Sequence, residues 1–588
     1  MLSISCIPLS ISGQTWCWRG GRAGLADDGA SPDDLVTQLL LARGCPREEI
    51  DSHRHPTIRH FMPDPSIFRD MELSARRIAD AVLAQEQVTI YGDYDVDGAT
   101  SAALLIRLLR DLGLDAGYYI PDRLMEGYGP SGEALVRLAE AGSSLIVTVD
   151  CGAQAFDALA MARQAGVDVV VVDHHKCATS LPDAFALVNP NRLDECDEGA
   201  AQGHLAAVGV AFLLGAALIR ELRSRDFFRD RPEPRLIELL DLVALGTVAD
   251  VAQLRGLNRA FVSQGLKVMA QRGNIGLDAL ASASRLTRAP LAHDLGFALG
   301  PRINAGGRVG KSDLGVRLLT TGDPEEARAI AAELDRLNEE RRAIEAMVQE
   351  EAERLADHQS NRAVLLVSAA GWHAGVIGIV AGRLKEKLGR PAIVVALDDD
   401  GPGKGSGRSV SGVDLGAAVL AARDSGLLIA GGGHAMAAGL TVARDKVDAL
   451  HDFLDERLGD AISLAGESRS LAMDAVVSPR GVNPALVGAL EEAGPFGVGW
   501  PAPRIATGPV RIVKADIVGN GHVRLITSGA DGASLKAVAF RKADTPLGQA
   551  LLSGTRDRAL WLAGRAKVDE WGGGRSAELH IDDAAWTD

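Results

Sequence analysis

Two kinds of apolar segment alternate between about residues 72 and 172. Short, continuously apolar runs are typical of buried strands, and the longer segments between them carry apolar residues at helical spacing. We predict strands at Val88–Tyr91, Ser144–Val149 and Val167–Val172, with helices in MELSARRIADAVLAQ, TSAALLIRLLRDLG and FDALAMARQAG. Apolar strands that alternate with helices indicate a parallel sheet covered on both faces, and hence an α/β domain.

The pattern changes after about residue 322. Residues 323–357 carry apolar side chains near helical spacing and charges elsewhere, which predicts one helix of roughly 50 Å that serves as a spacer between domains. A second α/β segment follows at 361–458, with predicted strands in AVLLVSA and AIVVAL. In the tail, short alternating runs predict a small antiparallel barrel: HVRLIT, LKAVAF, ALWLAGRA and AELHID.

These patterns divide the 588 residues into five segments. They are an N-terminal extension and lead-in (1–70), an α/β domain with a parallel sheet (71–322), a connecting helix (323–360), a smaller α/β domain (361–460) and an OB-like barrel (465–588). At roughly 150 residues per domain, the length agrees with three or four folded domains.

Charge and cysteine content narrow the class of protein. The net charge of −16 argues against a general basic coat for duplex DNA. Residues 501–570 nevertheless carry 11 Lys and Arg against 6 Asp and Glu, which is either a chance fluctuation or a barrel that follows a phosphate backbone. The six cysteines form no C-x-x-C pair and suit a reducing cytosol, so we expect a cytoplasmic protein. We expect no membrane association, because no apolar run reaches the roughly 18 residues of a membrane span.

Acidic residues follow each predicted strand of the first sheet. Asp93, Asp95 and Asp97 lie in YGDYDVDG after the first strand, Asp150 follows the second, and Asp173-His174-His175 follows the third. The carboxyl ends of parallel strands share one edge of a sheet, so these segments are expected to meet there. A further acid, Asp250 in DLVALGTVADV, is placed to join them.

Such a cluster of carboxylates predicts a metal centre. Neighbouring carboxylates are tolerated when a cation neutralises them, and oxygen ligands with one or two imidazoles suit Mn²⁺ or Mg²⁺. There are enough ligands for two ions, which about 3.5–4 Å apart form a clamp for displacement at phosphorus. The alternative is a calcium loop, because Asp93, Asp95, Asp97 and Gly98 match its beginning, but Leu104 stands where that loop needs Glu.

In order along the chain, YGDYDVDG, VTVDCG, VVDHH and GTVADV resemble the motifs of the DHH phosphoesterase family. Further stretches resemble the bacterial single-strand-specific exonucleases of that family: PDRLMEGYG, LVNPN, GPRINAGGRVG, GWHAGVIGIVAGRL, GSGRS and GGGHAMAAG. The resemblance covers about residues 60–588. It implies a DHH domain, a DHHA1-like substrate-binding domain at 361–460 and an OB-like nucleic-acid-binding domain.

The resemblance also implies roles for individual residues. The metal ligands would be Asp93, Asp95, Asp97, Asp150, His174 and Asp250. His175 would orient the attacking water or contact the scissile phosphate, and Asp173 would support the two histidines.

Substrate contacts are implied at several basic, hydroxyl and glycine positions. Arg123, Ser406 and Arg408 would form a pocket for a 5′ end, because arginine binds phosphate oxygens bidentately. Arg302, Arg308 and His373 would contact DNA. In GGGHAMAAG, Gly432, Gly433 and His434 would bring N–H donors to a phosphate, or else form a close-packed turn.

The implied activity is a 5′-to-3′ exonuclease on single-stranded DNA that uses two Mn²⁺ or Mg²⁺ ions and releases mononucleotides during recombination and repair. Its implied partners are a single-strand-binding protein and a RecQ-type helicase. One alternative is a phosphodiesterase for short oligonucleotides or cyclic dinucleotides, and another is a DNA-binding scaffold without activity. Two positions depart from the family pattern: the pair Ala206-Ala207, and Trp500 at the entry to the barrel.

Overall fold

The computed structural model describes residues 9–21, 32–122, 126–127, 129–398, 401–466, 470–553, 558–569 and 576–587. They fall into two compact units. One comprises Pro63–Ala252 and Gln264–Ser468, and the other comprises Met1–Met62, Gln253–Ser263 and Arg469–Asp588. Among the described residues, no helix combines the length and the apolarity needed to cross a membrane.

The first sheet is parallel, as predicted, and its central strands are almost entirely buried. Its strands run in the spatial order Gly117–Tyr119, Val88–Gly92, Leu145–Val149, Asp168–Val172 and Ala186–Val188. The three predicted strands are confirmed to within one residue at each end, and the two short edge strands were not predicted. Helices cover both faces: Met71–Ala84, Val96–Asp111, Gly132–Glu140, Phe156–Gln164 and Ala207–Ser224.

Further helices extend this domain beyond the sheet. They are Asp197–Ala200, Leu240–Ala249, Ile275–Ala283, Ala292–Asp294, the π-helix Leu295–Leu299, Gly300–Val309 and Leu314–Thr320. The helix Gly256–Ala270 is divided between the two units at Ser263. Leu240–Ala249 packs against Val96–Asp111, the helix that follows the first central strand. This packing brings Asp250, the residue after Leu240–Ala249, towards the acidic edge of the sheet.

The long helix extends from Pro324 to Asp357, as predicted, but it is more than a spacer. Its first half buries Ile330, Leu334 and Leu337 in the domain of the parallel sheet, and its second half buries Val348 and Ala352 in the next core. Between the two apolar stretches lies a buried polar cluster in which Arg341 donates to Glu345 (2.7 Å) and to Asn338 (2.9 Å). The helix therefore belongs to both cores.

The second α/β domain has a mixed sheet. Its strands run in the order Ala430–His434, Ala437–Val442, Gly403–Arg408, Ala392–Leu397 and Leu365–Ala370, and only the last two are parallel to each other. The helices are Ile377–Leu388, Leu415–Asp424 and Val447–Gly466. The two apolar strands were predicted, whereas the three glycine-containing strands were not.

The other unit contains a closed barrel, as predicted. Its strands are Ile505–Val518, His522–Gly529, Ser534–Ala539, Leu560–Val568 and Ala577–Trp586, with Ala475–Val477 added at one side. Lys536–Val538 pairs in parallel with Glu578–His580, so the antiparallel prediction is wrong at this one interface. The helix Pro546–Ser553 lies between two barrel strands in sequence, and this order is typical of OB folds.

The N-terminal residues join the barrel unit. Thr15–Trp18 pairs in parallel with Ser470–Met473, and Leu35, Leu39 and Leu40 lie in the barrel core. The ring of Trp500 lies 4.3 Å from that of His53, and its indole N–H donates to the carbonyl of Ala493 (2.9 Å).

The remaining helices of the unit are Pro32–Ala42, Ile50–Arg54, Ile58–Phe61 and Pro484–Glu492. Short 3-10 turns occur in the chain at Arg19–Gly21, Arg47–Glu49, Pro65–Ile67, Leu236–Leu239, Arg444–Lys446 and Pro479–Gly481.

Candidate active site

The acidic loop after Val88–Gly92 is held by its own backbone. Asp95 caps the helix Val96–Asp111 by accepting from the N–H groups of Asp97 (2.9 Å) and Gly98 (3.1 Å). A methyl group on Gly98 would lie 2.5 Å from the carbonyl oxygen of Asp93. Only glycine therefore allows the backbone to fold this tightly, which places Asp93, Asp95 and Asp97 together.

Asp97 is oriented by the amino end of a second helix. Its two carboxylate oxygens accept from the N–H groups of Ala207 (2.7 Å) and Val208 (3.0 Å), at the start of Ala207–Ser224. The first N–H groups of a helix have no partner inside the helix and favour an anion. Because backbone N–H groups make these contacts, they do not depend on the side chains of Ala206 and Ala207, the pair at which the sequence departs from the family pattern.

His174 faces Asp150 and Asp97. Its Nδ1 is 3.1 Å from the carbonyl oxygen of Leu205, which fixes the tautomer with the proton on Nδ1. Its Nε2 is then 3.3 Å from a carboxylate oxygen of Asp150 and 3.9 Å from one of Asp97. Asp150 itself is buried and has a φ of 61°, a strained conformation for a residue with a side chain.

Asp173 lies behind the two histidines. One of its oxygens accepts from the N–H groups of His174 (2.7 Å) and His175 (3.1 Å) and lies 2.7 Å from Nδ1 of His175. The other oxygen accepts from the N–H of Ala153 (2.9 Å). Asp173 is thus saturated with donors, and this arrangement suits a residue that positions His175.

The acids and imidazoles converge in three overlapping groups, in each of which the potential ligand atoms lie within 4.8 Å of one another. These groups are Asp93-Asp95-Asp150, Asp97-His174-Asp250 and Asp150-His174-His175. The described structure therefore brings together every residue that the sequence suggested as a metal ligand.

The electrostatics of this cluster favour a bound cation. Burial and repulsion by Asp95 raise the pKa of Asp97 to about 7, and burial and repulsion by Asp97 raise the pKa of Asp250 to about 8. Burial and the neighbouring aspartates also raise the pKa of Asp150. A divalent cation would relieve this repulsion, and a donor set of carboxylate oxygens with imidazole nitrogens fits Mn²⁺ or Mg²⁺.

A second polar surface lies on the mixed sheet, which we call the glycine face. The strand register aligns Ser406 with Gly439 and Gly432 in one row, and Arg408 with Ala437 and His434 in the next. Methyl groups on Gly432 or Gly439 would meet nothing within 4 Å, so the backbone is open to a ligand there. Arg408 donates to the hydroxyl of Ser406 (3.1 Å), beside Gly378 at the start of the helix Ile377–Leu388.

The remaining residues that the sequence suggested for substrate binding make other contacts. Gly433 has a φ of 152° and belongs to the tight hairpin, so its glycine is required by the backbone. Arg308 donates to the carbonyl of Gly375 (2.9 Å), whose N–H donates to His373 (3.0 Å). Arg302 forms an ion pair with Asp335 (2.8 Å) and donates to the carbonyl of Ala298. Arg123 lies outside the described residues.

The same segments match known families. The N-terminal domain of the DHH family matches residues 87–247, the DHHA1 domain matches 361–460, and the RecJ OB domain matches 473–583. A single-stranded-DNA-specific exonuclease RecJ from Dickeya dadantii is 39% identical over 86% of this chain and 88% of its own length. The chain belongs to the RecJ family.

Solved structures agree with this membership of the RecJ family. A RecJ from Thermus thermophilus in complex with Mn²⁺ has a TM-score of 0.76 and 28% identity, covering 94% of this chain and 76% of that one. The same relative in complex with Mg²⁺ has a TM-score of 0.71 and 27% identity, covering 94% and 75%.

Some site residues of this RecJ-family chain were not identified from the sequence. The N–H groups of Ala207 and Val208 and the carbonyl of Leu205 act through the backbone, for which a sequence gives no signal. Gly439 was not predicted either; it pairs with Gly432 across the hairpin, and its place in the glycine-rich GGGHAMAAG was the available signal.

Proposed function

We propose that this RecJ-family chain is a metal-dependent exonuclease that degrades single-stranded DNA from its 5′ end and releases 5′-mononucleotides. The observation that carries the proposal is the convergence of Asp93, Asp95, Asp97, Asp150, His174 and Asp250 at one edge of the parallel sheet. The names of the relatives, single-stranded-DNA-specific exonucleases, support the substrate and the reaction.

These six residues would hold two Mn²⁺ or Mg²⁺ ions, the ions present in the Thermus structures. Such ions, when bound, lower the pKa of a water molecule and stabilise charge that develops on phosphate oxygens. The backbone donors at Ala207, Val208 and Gly98 preorganise the carboxylates for this task, since the loop does not need to rearrange.

His175 is the residue that we assign to contact with the substrate or the attacking water. Burial favours its neutral ring, but the hydrogen bond and the charge of Asp173 raise the pKa of His175 to about 9. Asp173 keeps a proton on Nδ1 and fixes the ring, so that the second ring nitrogen can hold a phosphate oxygen or orient water.

The glycine face is our candidate for the 5′ end of the strand. Ser406 and Arg408 supply a hydroxyl and a guanidinium, and the start of the helix Ile377–Leu388 adds a partial positive charge beside them. We propose that Arg123 completes this pocket, that Gly432, Gly433 and His434 approach the backbone phosphates, and that Arg302, Arg308 and His373 contact DNA nearby.

The Asp97→Asn variant tests the proposal. We expect it to lose at least about 100-fold in Mn²⁺-dependent release of nucleotides from a 5′-phosphorylated single strand, because it removes a ligand charge. Asp241→Asn is the matched control, since Asp241 is also buried but is in none of the candidate metal groups. Equal activity of Asp97→Asn and the unmodified chain would exclude our assignment.

The substrate distinguishes the leading function from its alternative. A strand-degrading enzyme should hydrolyse a long single strand far more efficiently than dinucleotides or cyclic dinucleotides. The reverse preference would support the small-substrate phosphodiesterase instead.

We further propose a cytoplasmic role in DNA recombination and repair with a single-strand-binding protein and a RecQ-type helicase. Five described cysteines are free thiols, which supports a reducing compartment. The support for the two partners is the family resemblance, and co-purification of each with the full chain would test it.

A further inference from the structure

An aromatic pair lies on the short helix Ala292–Asp294 and the π-helix Leu295–Leu299. The π-helix packs against Leu240–Ala249, and at the start of the following helix a methyl group on Gly300 would lie 3.3 Å from Cβ of Ala249 and 3.9 Å from Val96. Ala249 precedes the candidate ligand Asp250, and Val96 lies between Asp95 and Asp97. Gly300, the residue directly after the π-helix, is therefore one layer of packing away from the candidate ligands.

The pair consists of His293 and Phe297, one turn apart. Their rings are stacked, with centroids 4.4 Å apart and planes inclined by 26°. Phe297 is 69% exposed, so most of its apolar surface is in contact with solvent. Single exposed apolar residues are common, but a π-turn is rare and occurs frequently at functional sites.

Hydrogen bonds and an ion pair hold the short helix beneath the pair. Asp294, between the two rings in sequence, is buried, accepts from the N–H of Leu291 (2.7 Å) and pairs with Arg288 (2.6 Å). These bonds secure the short helix that carries His293, so the rings need little ordering when a ligand stacks on them. Low ordering cost favours binding.

We propose that His293 and Phe297 form a stacking platform for a nucleobase of the single strand that enters the acidic site. The inference rests on the proposed function and adds a base-binding site to the phosphate contacts. An aromatic face accepts any base, which suits an enzyme that must process every sequence. A nucleobase is the expected occupant because the π-helix packs against the helix that ends directly before the candidate ligand Asp250.

The first test measures binding separately from cleavage. In EDTA, the fluorescence anisotropy of a labelled 5′-phosphorylated oligonucleotide of about 20 nucleotides reports affinity, and we expect Phe297→Ala to weaken it by about tenfold and Phe297→Trp to retain it. Met347→Ala is the matched control, because Met347 is 66% exposed on the long helix. An affinity of Phe297→Ala equal to that of the unmodified chain would overturn the platform.

The second test uses the same oligonucleotide with a single abasic nucleotide at successive positions. For the unmodified chain, one position or two adjacent positions should show the same loss of affinity as Phe297→Ala, and in that variant the abasic substitution should have no further effect. Additive losses at every position would overturn the proposal, since a merely structural role of Phe297 does not depend on any one base. Hydrolysis by the unmodified chain in Mn²⁺ is scored separately: its absence would refute the proposed function, whereas the binding pattern decides the platform.

Discussion

Gly98 and Gly246 show, at the scale of single residues, why the acidic cluster can exist. Each lies where a side chain would collide with the site: a methyl group on Gly98 would meet the backbone of Asp93, and one on Gly246 would lie 2.9 Å from a carboxylate oxygen of Asp97. The acids were recognisable from the sequence because their spacing is unusual. The role of Gly246 was not, because it depends on contacts with a distant segment.

Gly98→Ala should therefore destabilise the protein. The methyl group meets backbone atoms that cannot move independently, so we expect a loss of at least about 2 kcal/mol in the free energy of unfolding. Gly459→Ala is the control: the same change in the helix Val447–Gly466 meets nothing within 4 Å and should stabilise by up to about 1 kcal/mol. Similar melting temperatures for the two variants would contradict this account.

The buried carboxyl group of Asp241 should make the free energy of unfolding depend on pH. It is buried in Leu240–Ala249, and burial raises its pKa from 3.8 to about 6. The folded state binds the proton more tightly than the unfolded state, so this contribution is complete below pH 3.8 and is lost as the pH rises through about 6.

Asp241→Asn removes this dependence. Relative to the unmodified chain, the variant should gain stability as the pH rises from about 4 to about 7, by up to about 3 kcal/mol, and the gain should then level off. Urea unfolding at about pH 5 and about pH 8 measures it. The prediction is wrong if Asp241→Asn and the unmodified chain differ in the free energy of unfolding by the same amount at both pH values.

At the scale of elements, the strand Gly403–Arg408 shows why some strands could not be predicted from the sequence. Gly405 and Gly407 face one core, where methyl groups would collide with Leu440 and Leu415, while Lys404, Ser406 and Arg408 lie on the opposite face of the sheet. Buried and more exposed residues thus alternate along the strand, but the buried ones are glycines. The sequence therefore shows no alternation of apolar and polar side chains at this strand. The apolar strands Leu365–Ala370 and Ala392–Leu397 were detectable because their side chains carry that signal.

Gly432→Ala tests whether the glycine face binds phosphate. The methyl group meets nothing within 4 Å, so the free energy of unfolding should change by less than about 1 kcal/mol. It would project from the row that contains Ser406 and keep a phosphate from the backbone, raising KM for a 5′-phosphorylated strand by about tenfold. An unchanged KM for this folded variant would exclude close contact at Gly432.

At the scale of the whole molecule, the chain divides into a unit with the acidic site and a unit with the barrel. The raised pKa values of Asp97 and Asp250 mean that the first unit carries electrostatic strain that a divalent ion would relieve. Scanning calorimetry with Mn²⁺ at about 100-fold excess over Kd should show stabilisation of this unit by about 2.7 kcal/mol for each site filled.

EDTA should reverse this shift, and Asp97→Asn should reduce it. The unfolding of the barrel unit serves as an internal control, since all the candidate metal groups among the described residues lie in the other unit. An equal shift for Asp97→Asn and the unmodified chain would show that Mn²⁺ binds elsewhere.

Several features of the protein were determined by its sequence alone. Buried, mostly apolar strands, the periodic long helix and acids at the ends of strands are local patterns, and each follows from the residues within one segment, so the α/β class and the meeting of the acids at one edge of the sheet could be predicted. The tertiary structure decided the rest: the pairing of Thr15–Trp18 with Ser470–Met473, the helix end that holds Asp97, and the row that joins Ser406 to Gly432. These contacts join segments that are far apart in the chain, and they are made by backbone atoms. Because every residue has the same backbone, the sequence carries no signal for them.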